Sequence, residues 1–218
     1  KYQGKTLALN DAKNIESRYR AGSRIYTISD PLLHSGKLLI TALAMGDAEG
    51  MILKIETKDI AKGTQLHWTF GGAADKRFSR EGDLGVDPAD CFSLKPEYCK
   101  GNQYKISKNC FQLQFGAKQD KKLTGIFPTQ SKLNVTSGEA PVVEGSLALK
   151  TSNIIYLAIK VPTDSLQPNY SQLATVFAQA ENARKKVASQ ITINTPDAYP
   201  NPLGGVLSTA AAALWRRD

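Results

Sequence analysis

The chain has 218 residues, 41% of them apolar and 22% charged, and 28 Lys and Arg against 20 Asp and Glu give a net charge of +8. This is the balance of a globular protein able to bury a core without disulfides, as one large all-β domain or as one domain plus a fragment of another. No run approaches the roughly 18 apolar residues needed to span a bilayer, and the opening KYQGKTLALNDAKN lacks the continuous apolar stretch of a signal peptide.

The basic side chains are spread along the sequence. Their tightest groups are Lys121-Lys122, Arg184-Lys185-Lys186 and Arg216-Arg217. None is a long run and none is interleaved with exposed aromatics, so no nucleic-acid partner is expected. The charge reads as a solvated basic surface, matched to an acidic polysaccharide if to any polymer.

In chain order, residues 15–28 (IESRYRAGSRIYTI) alternate loosely, with apolar Tyr19, Ile25 and Ile28. Asp30-Pro31 ends that run, because proline removes a ladder donor and biases its predecessor to extended geometry. Ser35-Gly36 turns into an expected strand over residues 37–43. A glycine-bounded loop leads to a second over 51–56, where Ile alternates with Lys and Glu as on a sheet with one wet face. Lys62-Gly63 turns into a third over 64–70.

Residues 67–104 then carry a long excursion rich in glycine, charge and proline. A loop of that length in a compact domain is functional or disordered. Trp68, Phe70, Phe78 and Phe92 argue against disorder, so an ordered loop presenting polar groups is expected.

Further strands are expected over 103–106, 110–115, 123–127, 142–149 and 154–159. The run CFQLQF alternates strictly between apolar residues and glutamine, the mark of a half-buried strand. Many short strands at regular spacing predict a sandwich or barrel. An open single sheet would leave edges that a second, twisted sheet can cover.

The pattern changes after Pro162. Leu173, Val176, Phe177, Ala180, Ala183, Val187 and Ala188 recur at helical spacing, with basic residues toward the C-terminal end where the dipole favours them. Residues 190–193 read as extended, Thr195-Pro196-Asp197 and Pro200-Asn201-Pro202 as a rigid turn, and 203–215 as a second, alanine-rich helix. That helix is expected either to lead into a further helical domain or to dock on the sheet.

Enzyme signatures are scarce. There is no G-x-S-x-G, H-E-x-x-H or phosphate-binding P-loop, and Gly71-Gly72 lacks the third glycine of a dinucleotide site. His67, one of only two histidines, reads as a structural residue. Cys91, Cys99 and Cys110 fit no paired zinc spacing; a disulfide with one free thiol and three buried thiols are both open. Asp83, Asp87 and Asp90 could bind Ca²⁺ through oxygen, but irregular spacing favours turn and cap hydrogen bonds, so no metal is expected. A glycosidase acid–base pair among Glu81, Asp83 and Asp87 would need a carboxyl separation that sequence does not give. Arg77 and Arg80 suit bidentate capture of a sugar carboxylate, with Trp68 as a ring platform and Asp83 beside them. The same charges could instead order the loop as an arginine–aspartate network.

RYRAGSRIYTISDPLL with AEGMILKIE, then HWTFGGAADKRFSREGDLGVDPADCFSLKPEYCKGNQY, then INTPDAYPNPLGGVLSTAAAALW together resemble the N-terminal region of large bacterial glycoside-hydrolase-like enzymes that degrade polysaccharides. One group of these carries a domain of unknown function. The resemblance implies an antiparallel β-supersandwich of the galactose mutarotase kind over residues 1–165, a linker helix and extended segment over 166–194, and the start of an (α/α)6 toroid over 195–218. It also implies a periplasmic or secreted bacterial setting, and catalytic acids that lie mainly in the toroid.

The expected function is a non-catalytic sandwich domain that supports the helical domain and lends its loop to a sugar cleft. Its partners would be a poly- or oligosaccharide and the downstream (α/α)6 domain. The substrate-binding candidates are Trp68, Arg77, Arg80 and Asp83, with no catalytic residue, cofactor or metal. Such a scaffold should expose an apolar face around Val206, Leu207 and Trp215. The alternatives are a free-standing carbohydrate-binding module and a small enzyme using the loop's acids.

Overall fold

A computed structural model describes residues 1–46, 48–71, 94, 96–162 and 169–214. Its strands are β1 (Asn14–Arg20), β2 (Ser23–Ser29), β3 (Lys37–Ala44), β4 (Gly50–Lys58), β5 (Gln65–Phe70), β6 (Gln103–Ser107), β7 (Cys110–Phe115), β8 (Lys121–Ile126), β9 (Lys132–Val135), β10 (Val143–Ala148) and β11 (Asn153–Lys160). The helices are α1 (Pro96–Cys99), α2 (Leu173–Ala188) and α3 (Leu203–Leu214). The expected β-sandwich followed by two longer helices is what the chain forms.

Eight strands make a large sheet in the order β1-β2-β3-β4-β11-β8-β7-β6, and β5-β10-β9 make a small one. Every recorded strand pair is antiparallel. The two-residue period of a strand sorts each sequence onto two faces. Leu38, Ile55, Phe111, Leu113, Ile155 and Leu157 point toward the small sheet, where they meet Leu66, Val143 and Leu147. Leu43, Ile52, Ile126 and Ala158 point the other way and are covered by Leu173, Val176, Phe177 and Ala180. The central strands are therefore apolar on both faces, while Gln103, Lys105 and Ser107 of β6 and Gln112 of β7 are exposed.

Two features differ from the sequence expectation. β9 was not anticipated; its four residues are too few to show a period. The loose alternation over 15–28 is a hairpin, β1 with β2, turning at Ala21-Gly22. Gly22 has φ +77°, a left-handed conformation that glycine adopts without strain. All seven residues of β1 are exposed, so its sequence carries no burial signal. Asp30 caps the short helical turn Pro31–Leu33, accepting from the Leu32 and Lys13 amides at 2.8 and 3.0 Å. These hydrogen bonds hold its carboxyl below the usual carboxylate range.

α2 lies on the outer face over β3, β4 and β11. Arg184 donates to both carboxylate oxygens of Glu181 at 3.1 and 2.8 Å and to the Ala21 carbonyl at 2.8 Å, and Arg20 reaches Glu181 at 2.9 Å. This ties the β1–β2 hairpin to the helix. Partial burial pushes the Glu181 carboxyl up, but the Arg184 hydrogen bond and the Arg184 and Arg20 charges outweigh it and leave it below 4.5. A carboxyl depressed in the folded state stabilises above its unfolded value and loses that contribution as pH falls through the folded value. Stability should therefore decline on acidification from pH 4.5 downward. Solvent reaches Arg20, so Glu181→Gln should cost only roughly 1 kcal/mol at neutral pH. It should also flatten that part of the acid limb, as read by urea denaturation at successive pH values.

Candidate functional site

The stretch singled out in the sequence leaves the small sheet at the end of β5 and returns at β6, the edge of the large sheet. Arg77, Arg80 and Asp83, together with Asp87, Asp90 and Cys91, lie outside the described residues. The structure does describe how the two ends of the stretch are held.

At the outgoing end, β5 alternates. Leu66, Trp68 and Phe70 face the core, and Gln65, His67 and Thr69 face out. Trp68, expected as a sugar platform, is half-buried, and one indole face stacks on Phe127 with ring centroids 5.0 Å apart and planes 20° from parallel. Its edge lies over Gly145, the residue directly opposite on β10. A Cβ at Gly145 would come within 2.1 Å of the indole Cε2, so only glycine leaves room for this ring. In this placement the indole joins the two sheets. His67 is exposed, with Nε2 3.2 Å from the Gln65 side-chain oxygen.

At the returning end, Tyr104 reaches back across the sandwich. Its hydroxyl donates to the Phe70 carbonyl at 3.4 Å and lies 3.4 Å from Asn102 Nδ2. Burial pushes the Tyr104 phenol up to about 12, so it remains a donor throughout the physiological range. Phe111 knits the two ends together, 5.2 Å from Phe70, 5.9 Å from Tyr104 and 5.8 Å from Phe127. The stretch therefore springs from a fixed aromatic base. Two buried polar atoms of that base, Trp68 Nε1 and Asn102 Oδ1, have no hydrogen-bond partner among the described residues.

Sequence reasoning found the outgoing strand and its tryptophan but not their supports. Phe127, Gly145 and Tyr104 come together through pairing across distant segments, which leaves no local pattern. Cys99 is buried and Cys110 is half-buried, and burial pushes the Cys110 thiol up. Among the described residues no group of three His, Cys, Asp or Glu side chains could hold a metal ion. Nor is any helix among them long and apolar enough to cross a membrane.

Of the residues expected to form an apolar face, Leu207 lies exposed on α3. Gly204, Gly205 and Ser208 pack against the end of α2, residues 191–193 and Ala21. Leu203, Leu207 and Leu214 are 49%, 54% and 82% exposed, and the alanines between Thr209 and Leu214 are exposed too. Val206 is half-buried, and Trp215 lies outside the described residues.

Two packed antiparallel sheets with helices after the last strand define a β-sandwich domain with a helical extension. The family described as "Domain of unknown function (DUF4450)" matches residues 1–181, and the chain belongs to it. Among solved structures it is similar to one described as "Putative kojibiose phosphorylase from human microbiome", with 13% identity and a TM-score of 0.42. That similarity covers 96% of this chain and 26% of the other, so the chain spans about a quarter of that protein's length. No curated protein matches.

Proposed function

We propose that this chain is the non-catalytic N-terminal β-sandwich part of a periplasmic or secreted bacterial glycoside hydrolase acting on polysaccharide. In this reading it supports a following (α/α)6 domain, and Arg77, Arg80 and Asp83 reach from the 72–93 segment into the sugar cleft. Trp68 forms the floor from which that segment departs. The observation that carries the reading is α3. Its small-residue face is taken by α2, while its leucine and alanine face stays open, as on a helix that packs with further helices. The resemblance read from the sequence supplies the substrate class.

The test compares this chain with the protein extended through the helical domain. Arg77→Ala, Arg80→Ala and Asp83→Ala should each lower turnover of polysaccharide by the extended protein at least about tenfold, the loss of one charged hydrogen bond to substrate. The melting temperature of the 218-residue chain should not change. A matching drop in the chain's own melting temperature would assign these side chains to ordering the loop. Unchanged turnover would remove the segment from the cleft. Leu207→Lys should leave the chain's melting unaltered and destabilise the extended protein.

The exposed polar positions of β6 and β7 favour a second reading, a free-standing carbohydrate-binding module. On that reading Leu207→Lys has no effect in any longer protein.

A further inference from the structure

α2 covers the outer face of the large sheet over β3, β4 and β11 and reaches Cys110 and Ile126 at one end of β7 and β8, leaving the face beyond them, around Lys105, Gln112, Gln114 and Lys122, uncovered. On this open part the sequence changes character. Two of the three outward residues of β7 are glutamines, Gln112 and Gln114, and their neighbours across the register are polar too. One transverse row runs Lys105, Gln112, Thr124, from β6 through β7 to β8. A second runs Gln103, Gln114, Lys122. The face is hollowed: a cavity of 610 Å³ is lined by the second row and by Lys105 and Gln112 of the first, together with Asp120. It adjoins one of 370 Å³ that shares Lys105 and Gln112 and adds Lys108.

The chemistry of this groove is specific. Lys105, Lys108 and Lys122 have no ion-pair partner among the described residues, and Asp120 is the one acid in the lining. Gln103 and Gln112 make no side-chain hydrogen bond among the described residues, so their amides offer both donors and acceptors. Gln114 is fixed by donating to the Gln119 carbonyl, which leaves its own oxygen open as an acceptor. Hydroxyl pairs need groups that both donate and accept, and amides supply them. A phosphate backbone needs donors only. Among the described residues Tyr104 is the one aromatic lining the larger hollow, and it turns its ring inward against Phe111, away from any base that would stack there. Neighbouring strands lie about 4.8 Å apart, close to the rise of one pyranose unit along an extended chain. A row across three strands thus meets successive sugars.

We propose that this groove binds an anionic oligosaccharide running across β6–β8. Its hydroxyls would lie on Gln103, Gln112 and Gln114, and its carboxylate or sulfate groups on Lys105, Lys108 and Lys122. The inference rests on the reading of the chain as part of a carbohydrate-processing protein and places a second sugar contact on it, apart from the 72–93 segment.

The test is calorimetric titration of the 218-residue chain with a galacturonate hexamer, a chondroitin sulfate hexamer, cellohexaose and single-stranded DNA of matched length. One acidic hexamer should bind saturably, at least tenfold tighter than cellohexaose, and more weakly as salt rises. Whichever hexamer binds identifies the anion as carboxylate or sulfate. Lys105→Gln with Lys122→Gln should weaken it at least tenfold and reduce the salt dependence, whereas Gln112→Ala should weaken it without changing that dependence. Lys37→Gln, at a lysine on β3, should change nothing. Amide shifts of the unmodified chain should move at residues 103–105, 112–114 and 122 on adding the hexamer, a readout that does not depend on any variant's folding.

Absence of binding by every hexamer overturns the proposal. So does an equal loss in Lys37→Gln, tighter binding of the DNA, or shifts that lie elsewhere. If the extended protein responds to the Arg77, Arg80 and Asp83 variants while no hexamer binds here, the groove alone is refuted.

Discussion

Phe111→Ala is expected to lower the unfolding free energy by about 3–5 kcal/mol, a large part of the roughly 5–15 kcal/mol that holds a typical domain together. The ring is fully buried and touches the aromatic rings of Phe70, Tyr104 and Phe127, which belong to both sheets. It also lies across the bare Cα of Gly125 on the neighbouring strand, where a Cβ would come within 2.2 Å of it. The cavity left by truncation would be walled by two sheets whose spacing is set elsewhere, so little collapse can fill it. Guanidinium denaturation followed by tryptophan fluorescence measures the effect. A loss below about 1.5 kcal/mol would mean that the sheets close onto the gap.

The second large effect is a coupling between Trp68 and Gly145. Gly145 needs no left-handed conformation, so alanine there is permitted by the backbone and opposed only by the indole. Gly145→Ala should cost about 1–3 kcal/mol as an overpacking change, and Trp68→Ala about 3–5 kcal/mol as a cavity. In the Trp68→Ala background the added methyl has room and reduces the freedom of the unfolded chain, so Gly145→Ala should become neutral or mildly stabilising. A double-mutant cycle by urea denaturation should therefore give a coupling of about 1–3 kcal/mol. Effects that add within about 0.5 kcal/mol would place the indole away from Gly145 in solution.

These two sites show where sequence reasoning reaches and where it stops. The CFQLQF run was legible because burying one face of a strand writes a two-residue alternation into it. The helix around Val176, Phe177 and Ala180 was legible for the corresponding reason at helical spacing. β1 could not be read in the same way, because none of its residues is buried and nothing constrains their alternation. The glycines show the limit most clearly. No local pattern marks Gly125 and Gly145, yet they are the openings that admit Phe111 and Trp68, and only strand register shows this. Trp68 stood out from its place beside a long loop, where it read as a platform for a sugar ring. Its contacts with Phe127 and Gly145 depend on segments far along the chain. The groove was half visible: the glutamines of β7 stood out, but Lys105 and Lys122 join them only across the ladder.

The order of strands has a consequence for how the molecule is made. β1–β4 form a meander complete by Lys58, and β6–β8 form another. Neither meander pairs with the other: β11 lies between β4 and β8, and β10 lies between β5 and β9. The last two strands in sequence are thus the central members of both sheets. During synthesis the two meanders can collapse locally, but each keeps an unpaired inner edge until residues 143–160 have emerged. Pairing β11 with β4 closes a loop of nearly a hundred residues, the kind of non-local step that makes β folding slow. A chain stopped before β10 would therefore be left as two sticky halves, and the native sandwich is assembled by its final strands.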